Sequence, residues 1–148
     1  LYFEPKGKGT DIPKALHYLN GVVRRRAVVF LVSDFMADDY EAALRVANRR
    51  HDVIAVTISD PREATLPDVG LVSVRDAETG RETLVNTSDG KVRTAYENAA
   101  RERSAQRDAV LKRNRVDTMR ASTDASYVEE IHRFFKMRER RLAGGATA

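Results

Sequence analysis

Residues 6–16 read KGKGTDIPKAL, and they crowd Gly7, Lys8, Gly9, Thr10 and Asp11 in front of an apolar helical pattern. Three chemistries suit such a cluster: cradling a phosphate, holding a metal ion, or starting a helix. A Walker loop needs Gly-Lys followed directly by Thr or Ser, with a buried strand ahead of it. Here Gly9 separates Lys8 from Thr10 and no strand precedes, which argues against a nucleotide loop. A looser anion site at the helix start stays open. The metal reading joins Thr10 to Ser33 and Asp34, which end an apolar run. Ligands of open parallel sheets gather at the carboxyl ends of strands. A hydroxyl from one loop and a carboxylate from the next suit Mg²⁺, which takes hard oxygen ligands and keeps several waters. The competing reading is that Thr10 caps a helix while Asp34 shapes a turn.

Classical catalysis has less to work with. His17, His51 and His132 are the three histidines, and none is spaced with a serine and an acid to suggest a triad. Asp60, Glu63 and Asp68 in SDPREATLPDVG could pair as acid and base, but turn and cap duties explain them more cheaply. Arg24 to Arg26, Arg49 to His51 and Lys136 to Arg141 form basic runs, read as solvated helix ends.

The elements that must position these residues follow from periodicity. Ile12, Ala15, Leu16, Leu19, Val22 and Val23 recur at helical spacing, with Thr10 or Asp11 as cap and Pro13 in the first turn. Ala27 to Val32 is continuously apolar and reads as a strand buried on both faces. Tyr40, Ala43, Leu44 and Ala47 mark a helix behind Asp38 and Asp39, and Val53 to Asp60 a second buried strand. This alternation is the rhythm of a parallel α/β sheet. Leu71 to Val74 and Glu82 to Asn86, around DAETGR, read as a β-hairpin. A long charged helix spans Ser88 to about Asn114, with the thin stripe Val92, Ala95, Tyr96, Ala99, Arg103, Gln106 and Val110. A strand over Val116 to Ala121 follows. The last helix is capped at Ser122, Thr123 or Asp124 and turns Tyr127, Val128, Ile131, Phe134 and Phe135 to the core.

The chain has 148 residues, 42% hydrophobic and 32% charged, with a net charge of +4. That fits one domain with a sizeable core and only a weak preference for acidic partners. The absence of Cys removes disulfides, thiolate metal sites and a cysteine nucleophile, and fits a cytoplasmic location. No apolar run approaches the about 18 residues of a membrane span. The chain begins at Leu1 rather than Met, so an excerpt or a processed chain is expected.

PKGKGTDI, RRRAVVFLVSDF, RRHDVIAVTISDPRE, LPDVGLVSVRDAETG and STDASYVEEIHRFFKMRERR occur in that order. Together they resemble a bacterial family, the domain of unknown function fifty-eight. Its members contain a von Willebrand factor A-like domain and are commonly encoded beside MoxR-type AAA+ ATPases. The resemblance implies a Rossmann-like three-layer α/β fold with a mostly parallel sheet and a metal-ion-dependent adhesion site (MIDAS). Here the fold would lack its N-terminal strands and carry the hairpin as an insertion. The partial domain would cover residues 1–142, with a flexible tail over 143–148. Of the site, Thr10 matches the second-loop threonine and Asp34 the third-loop aspartate. The Asp-x-Ser-x-Ser motif has no counterpart before Thr10, and STDAS at 122–126 comes too late and in the wrong order. Mg²⁺ is therefore expected to bind weakly or not at all.

The implied function is a non-enzymatic protein-interaction module, partnered by a MoxR-type ATPase in assembly or maturation of other proteins. The alternatives are nucleic-acid or anionic-surface binding through the arginines, or a Mg²⁺-dependent phosphatase or nuclease drawing on Asp34, Asp38, Asp39 and Asp60. With its first strand missing, Ala27 to Val32 would lie at an edge, where two copies could pair or a partner could cover the apolar surface.

Overall fold

The structure is a computed structural model, and it describes residues 9–75 and 80–144. In chain order the elements are α1 (Ile12–Val22), β1 (Val28–Ser33), α2 (Glu41–Arg50), β2 (Asp52–Ser59) and α3 (Pro61–Ala64). They continue as β3 (Leu71–Arg75), β4 (Glu82–Asn86), α4 (Gly90–Arg113), β5 (Asp117–Ser122) and α5 (Tyr127–Gly144). β1, β2 and β5 form a parallel sheet in the order β1-β2-β5. β3 and β4 pair antiparallel as a separate hairpin, with Leu71 opposite Asn86. The chain is thus mixed α/β, a parallel three-stranded sheet plus a hairpin. The DAETGR turn falls largely on residues outside those described.

β2 is central because its sequence suits both faces. Val53 and Ala55 face α1 and α2, joining Ile12, Leu16, Phe35, Tyr40, Leu44, Ala47, Leu111 and Val116 in the larger core. Ile54 and Val56 face the other way, onto Met119 and Phe134. Five successive residues of β2 are buried, as its unbroken apolar run requires. α1 starts at Asp11, whose carboxylate accepts from the Lys14 N–H at 2.8 Å, and Pro13 lies in its first turn. The cap is therefore Asp11, not Thr10. α4 starts at Asp89 and buries only Leu111 completely. Of its expected stripe, Ala95, Arg103 and Gln106 are exposed.

Two expectations are corrected. β1 is not buried on both faces: Val28 is 57%, Phe30 48% and Val32 57% exposed, while Val29 and Leu31 pack on the larger core. An apolar run reports what each residue tolerates, and it cannot report whether a second layer reaches that strand. α5 packs chiefly on β5 and reaches β1 through Phe135, whose ring lies 6.3 Å from that of Phe30. For the same reason α5 buries only Phe134 of its expected face, half-buries Ile131, and leaves Tyr127, Val128 and Phe135 exposed. α5 also includes residues 143 and 144, which the sequence assigned to the tail, while 145–148 lie outside the described residues.

Candidate functional site

The carboxyl ends of β1 and β2 open into a cleft of about 430 Å³ lined by Thr10, Val32, Ser33, Asp34, Ile58, Asp60, Glu63 and Thr123. The two sequence-derived candidates, Thr10 and Asp34, thus meet at one place. Thr10 stands one residue ahead of the Asp11 cap, and its hydroxyl makes no hydrogen bond among the described residues. With the cap duty taken by its neighbour, that hydroxyl is left for the cleft.

Asp34 is held by a tight turn. Its Oδ1 accepts from the Met36 N–H at 3.0 Å and lies 3.4 Å from the Ser33 hydroxyl, which in turn accepts from the Phe35 N–H at 3.0 Å. Phe35 adopts φ 59°, a left-handed conformation that a bulky residue rarely takes. Its ring is buried against Tyr40, edge to face with centroids 5.5 Å apart. Core packing of Phe35 therefore offsets the backbone strain and fixes how the preceding carboxylate is presented. Burial also pushes the Tyr40 hydroxyl above its ordinary pKa, against the lowering influence of Arg107.

Asp60 closes β2 and caps α3, accepting from the Arg62 N–H at 2.8 Å, and Glu63 sits within that short helix. Thr123, whose N–H donates to the Ser59 carbonyl at 3.1 Å, carries the far wall beyond β5. The sequence reads Thr123 as a helix cap and Asp60 and Glu63 chiefly as turn and cap residues, with an acid–base pair, or Asp60 beside Asp34, as the alternatives. Their position just past the strand ends was the signal that they share the cleft. Asp60, Arg62, Thr123 and Asp124 also line an adjoining hollow.

Every polar donor to the cleft is a hard oxygen, the chemistry that Mg²⁺ prefers. Among the described residues no cluster of three or more His, Cys, Asp or Glu side chains could hold a metal ion. Asp38 and Asp39 do not line the cleft with Asp34 and Asp60. The lining residues therefore fit Mg²⁺ in kind, with Thr10 and Asp34 as the oxygen donors that would hold it.

The basic runs are partly spent inside the fold. Arg138 and Arg141 bind Asp117, Arg138 also binds Asp52, and Arg50 donates to the Asn20 carbonyl at 2.8 Å. Among the described residues no helix is long and apolar enough to cross a membrane.

Residues 1–106 match the profile of the family described as "Protein of unknown function DUF58". The chain belongs to that family. The DUF58 chain is 32% identical over 142 residues to the uncharacterized protein MAV169 of Mycobacterium avium, covering 95% of itself and 83% of that relative. It is 31% identical over 144 residues to the uncharacterized protein Rv1480 of Mycobacterium tuberculosis, of which it spans 44%. The uncharacterized protein Mb1516 of Mycobacterium bovis matches to the same extent. No solved structure matches the chain.

Proposed function

We propose that this DUF58 chain is a non-enzymatic protein-interaction module whose binding face is the cleft at the carboxyl ends of β1 and β2. The observation that carries the reading is the convergence of Thr10 and Asp34, from separate loops, on that cleft. These are the two positions that the resemblance to von Willebrand A-type adhesion domains assigns to the binding site. Supporting it further, the Ser33-Asp34-Phe35 turn holds its carboxylate rigidly and in the open. Preorganised polar groups on rigid elements favour partner recognition because little ordering entropy is lost on docking.

The partner implied by the resemblance is a MoxR-type AAA+ ATPase, acting with this chain in the cytoplasm during assembly or maturation of other proteins. Mg²⁺ has no step in this reading. The direct test is the affinity of a purified MoxR-type ATPase, encoded beside a DUF58 gene, for this chain and for its Thr10→Ala and Asp34→Ala variants. Binding that weakens about tenfold or more in both variants, roughly 1.4 kcal/mol, supports the cleft. Unchanged affinity in both removes the cleft from the interaction.

A further inference from the structure

The acids that border α2 are already spent. Glu41 is held by Arg113 and Asp52 by Arg138. Asp108 is held by Arg107 and Arg120, and Asp117 by Arg138 and Arg141. Between Asp11 and Asp34, between Glu41 and Asp52, and between Asp108 and Asp117 the sequence has no Asp or Glu. Parts of all three stretches meet around α2. Arg50 Nη1 donates to the Asn20 carbonyl and the Asp52 N–H to the Ala27 carbonyl, both at 2.8 Å, which sets Arg24 to Arg26 beside the end of α2. On the other flank the Asn48 side chain donates to the Asn114 and Arg115 carbonyls at 3.0 and 3.3 Å. α2 thus lies between α1 and the end of α4, with Ala43, Leu44 and Ala47 turned to the core. Its opposite face points away from the sheet, so it stays open whatever lies beside β1. Ala42, Arg45, Val46 and Arg49 form that face, and all are exposed. Arg24, Arg25, Arg26, Arg50, Lys112 and Arg115 surround it, exposed as well. Among the described residues none of these cations is in an ion pair.

We propose that the outer face of α2 docks this chain on the surface of an anionic lipid bilayer. Cations near such a surface each gain about fivefold in partition, and arginine forks suit phosphate-bearing headgroups. Nucleic acid offers phosphates too, and the exposed apolar side chains decide between the two. Val46, 47% exposed, sits among the arginines, and Tyr18, 73% exposed, stands on the neighbouring α1. A phosphodiester backbone gives a valine nothing, whereas the headgroup layer accepts apolar and aromatic side chains beneath its charges. The charge is also polarised along the sheet. Arg24 to Arg26 precede β1 and Asp34 follows it, across six residues or about 20 Å. Asp34, Asp60 and Glu63 make the cleft end acidic. An anionic surface attracts the first pole and repels the second, so the docked chain turns its cleft to solution.

Flotation with vesicles of phosphatidylcholine containing about 30 mol% phosphatidylserine, in about 0.1 M salt, reads the outcome. The expected result is binding to these vesicles, none to pure phosphatidylcholine, and release in about 1 M salt. Arg45→Ala combined with Arg49→Ala is expected to weaken partition about twentyfold. Val46→Ser is expected to weaken it about threefold with the charge unchanged. Lys91→Ala combined with Arg103→Ala removes the same charge from exposed positions of α4, and is expected to change partition less than about threefold. Arg45 and Arg49 lie outside both hydrophobic cores, so circular dichroism of their variants is expected to match wild type. Three results overturn the proposal: no binding to the anionic vesicles, an equal loss in the two double variants, or retention on a duplex DNA oligonucleotide when DNA and vesicles are offered together.

Discussion

Arg138 of α5 grips Asp52 of β2 in a two-pronged contact, with Nη2 2.8 and 2.7 Å from the two carboxylate oxygens. Its Nε lies 3.1 Å from Asp117 of β5, so one guanidinium bridges the N-terminal ends of adjacent strands. The side chain is only 16% exposed and lies over the Phe134 ring, 5.8 Å from its centroid. A cation there fastens α5 to the sheet where its apolar face is thinnest. Arg138→Ala leaves Asp52 without its cation and strips packing from Phe134. Urea unfolding is expected to show a loss of about 2 kcal/mol. Arg138→Lys recovers only part of that, because a point charge cannot reproduce the fork.

The packing of the larger core yields a second expectation. Leu44 is fully buried between the sheet and α1. Leu44→Ala is expected to cost about 3 kcal/mol, from lost transfer free energy plus the cavity left behind. Urea unfolding measures it. A loss below about 1 kcal/mol would mean that the site collapses or that α2 packs elsewhere.

A third expectation concerns acid. Arg113 at the end of α4 binds the Glu41 carboxylate through Nε at 2.8 Å and Nη2 at 2.6 Å, with Asn114 adding a bond at 3.1 Å. The hydrogen bond from Arg113, more than any other cause, holds the Glu41 carboxyl below its ordinary pKa. A depressed carboxylate stabilises the fold above its unfolded-state pKa, and the benefit fades as pH falls through the lower folded-state value. Arg113 is exposed and Glu41 half-buried at the surface, so the effect is small and shrinks with salt. Thermal melts of wild type and Glu41→Gln are expected to differ at neutral pH and converge in acid. A difference that instead grows in acid contradicts the pairing.

Mg²⁺ provides a fourth. The cleft offers Thr10 and Asp34 with oxygen neighbours but no trio of charged ligands among the described residues. Calorimetric titration of the chain with Mg²⁺ is expected to show no saturable binding in the micromolar range, and chelator is expected to leave the melting temperature unchanged. Sub-micromolar binding would mean that Asp60 or Glu63 completes a site with Asp34.

Much of this was legible in the sequence, for identifiable physical reasons. β2 declared itself because both of its faces are covered, so its apolar run and its burial coincide. The hairpin followed from turn residues, and α4 from its thin stripe, although Leu111 was missed as its one fully buried anchor. β1 misled because its sequence looks like that of β2 while only one of its faces meets a helix layer. α5 misled for the same reason seen from the other side. At the cleft, Thr10 and Asp34 were found by pattern. Neither Glu63, weighed as an acid–base or turn residue, nor Thr123, read as a cap, is legible as a neighbour of Thr10 and Asp34, since their approach depends on how β2 and β5 register in the sheet.

The central claim is that the cleft of Thr10 and Asp34 is a partner-binding face. The most direct measurement is an amide chemical-shift map of the isotope-labelled chain during titration with the purified MoxR-type ATPase. The account predicts shifts or broadening concentrated at Thr10, Ser33, Asp34, Asp60 and Thr123. Perturbations confined to the β3–β4 hairpin or to α4, with the cleft amides unmoved, would contradict it.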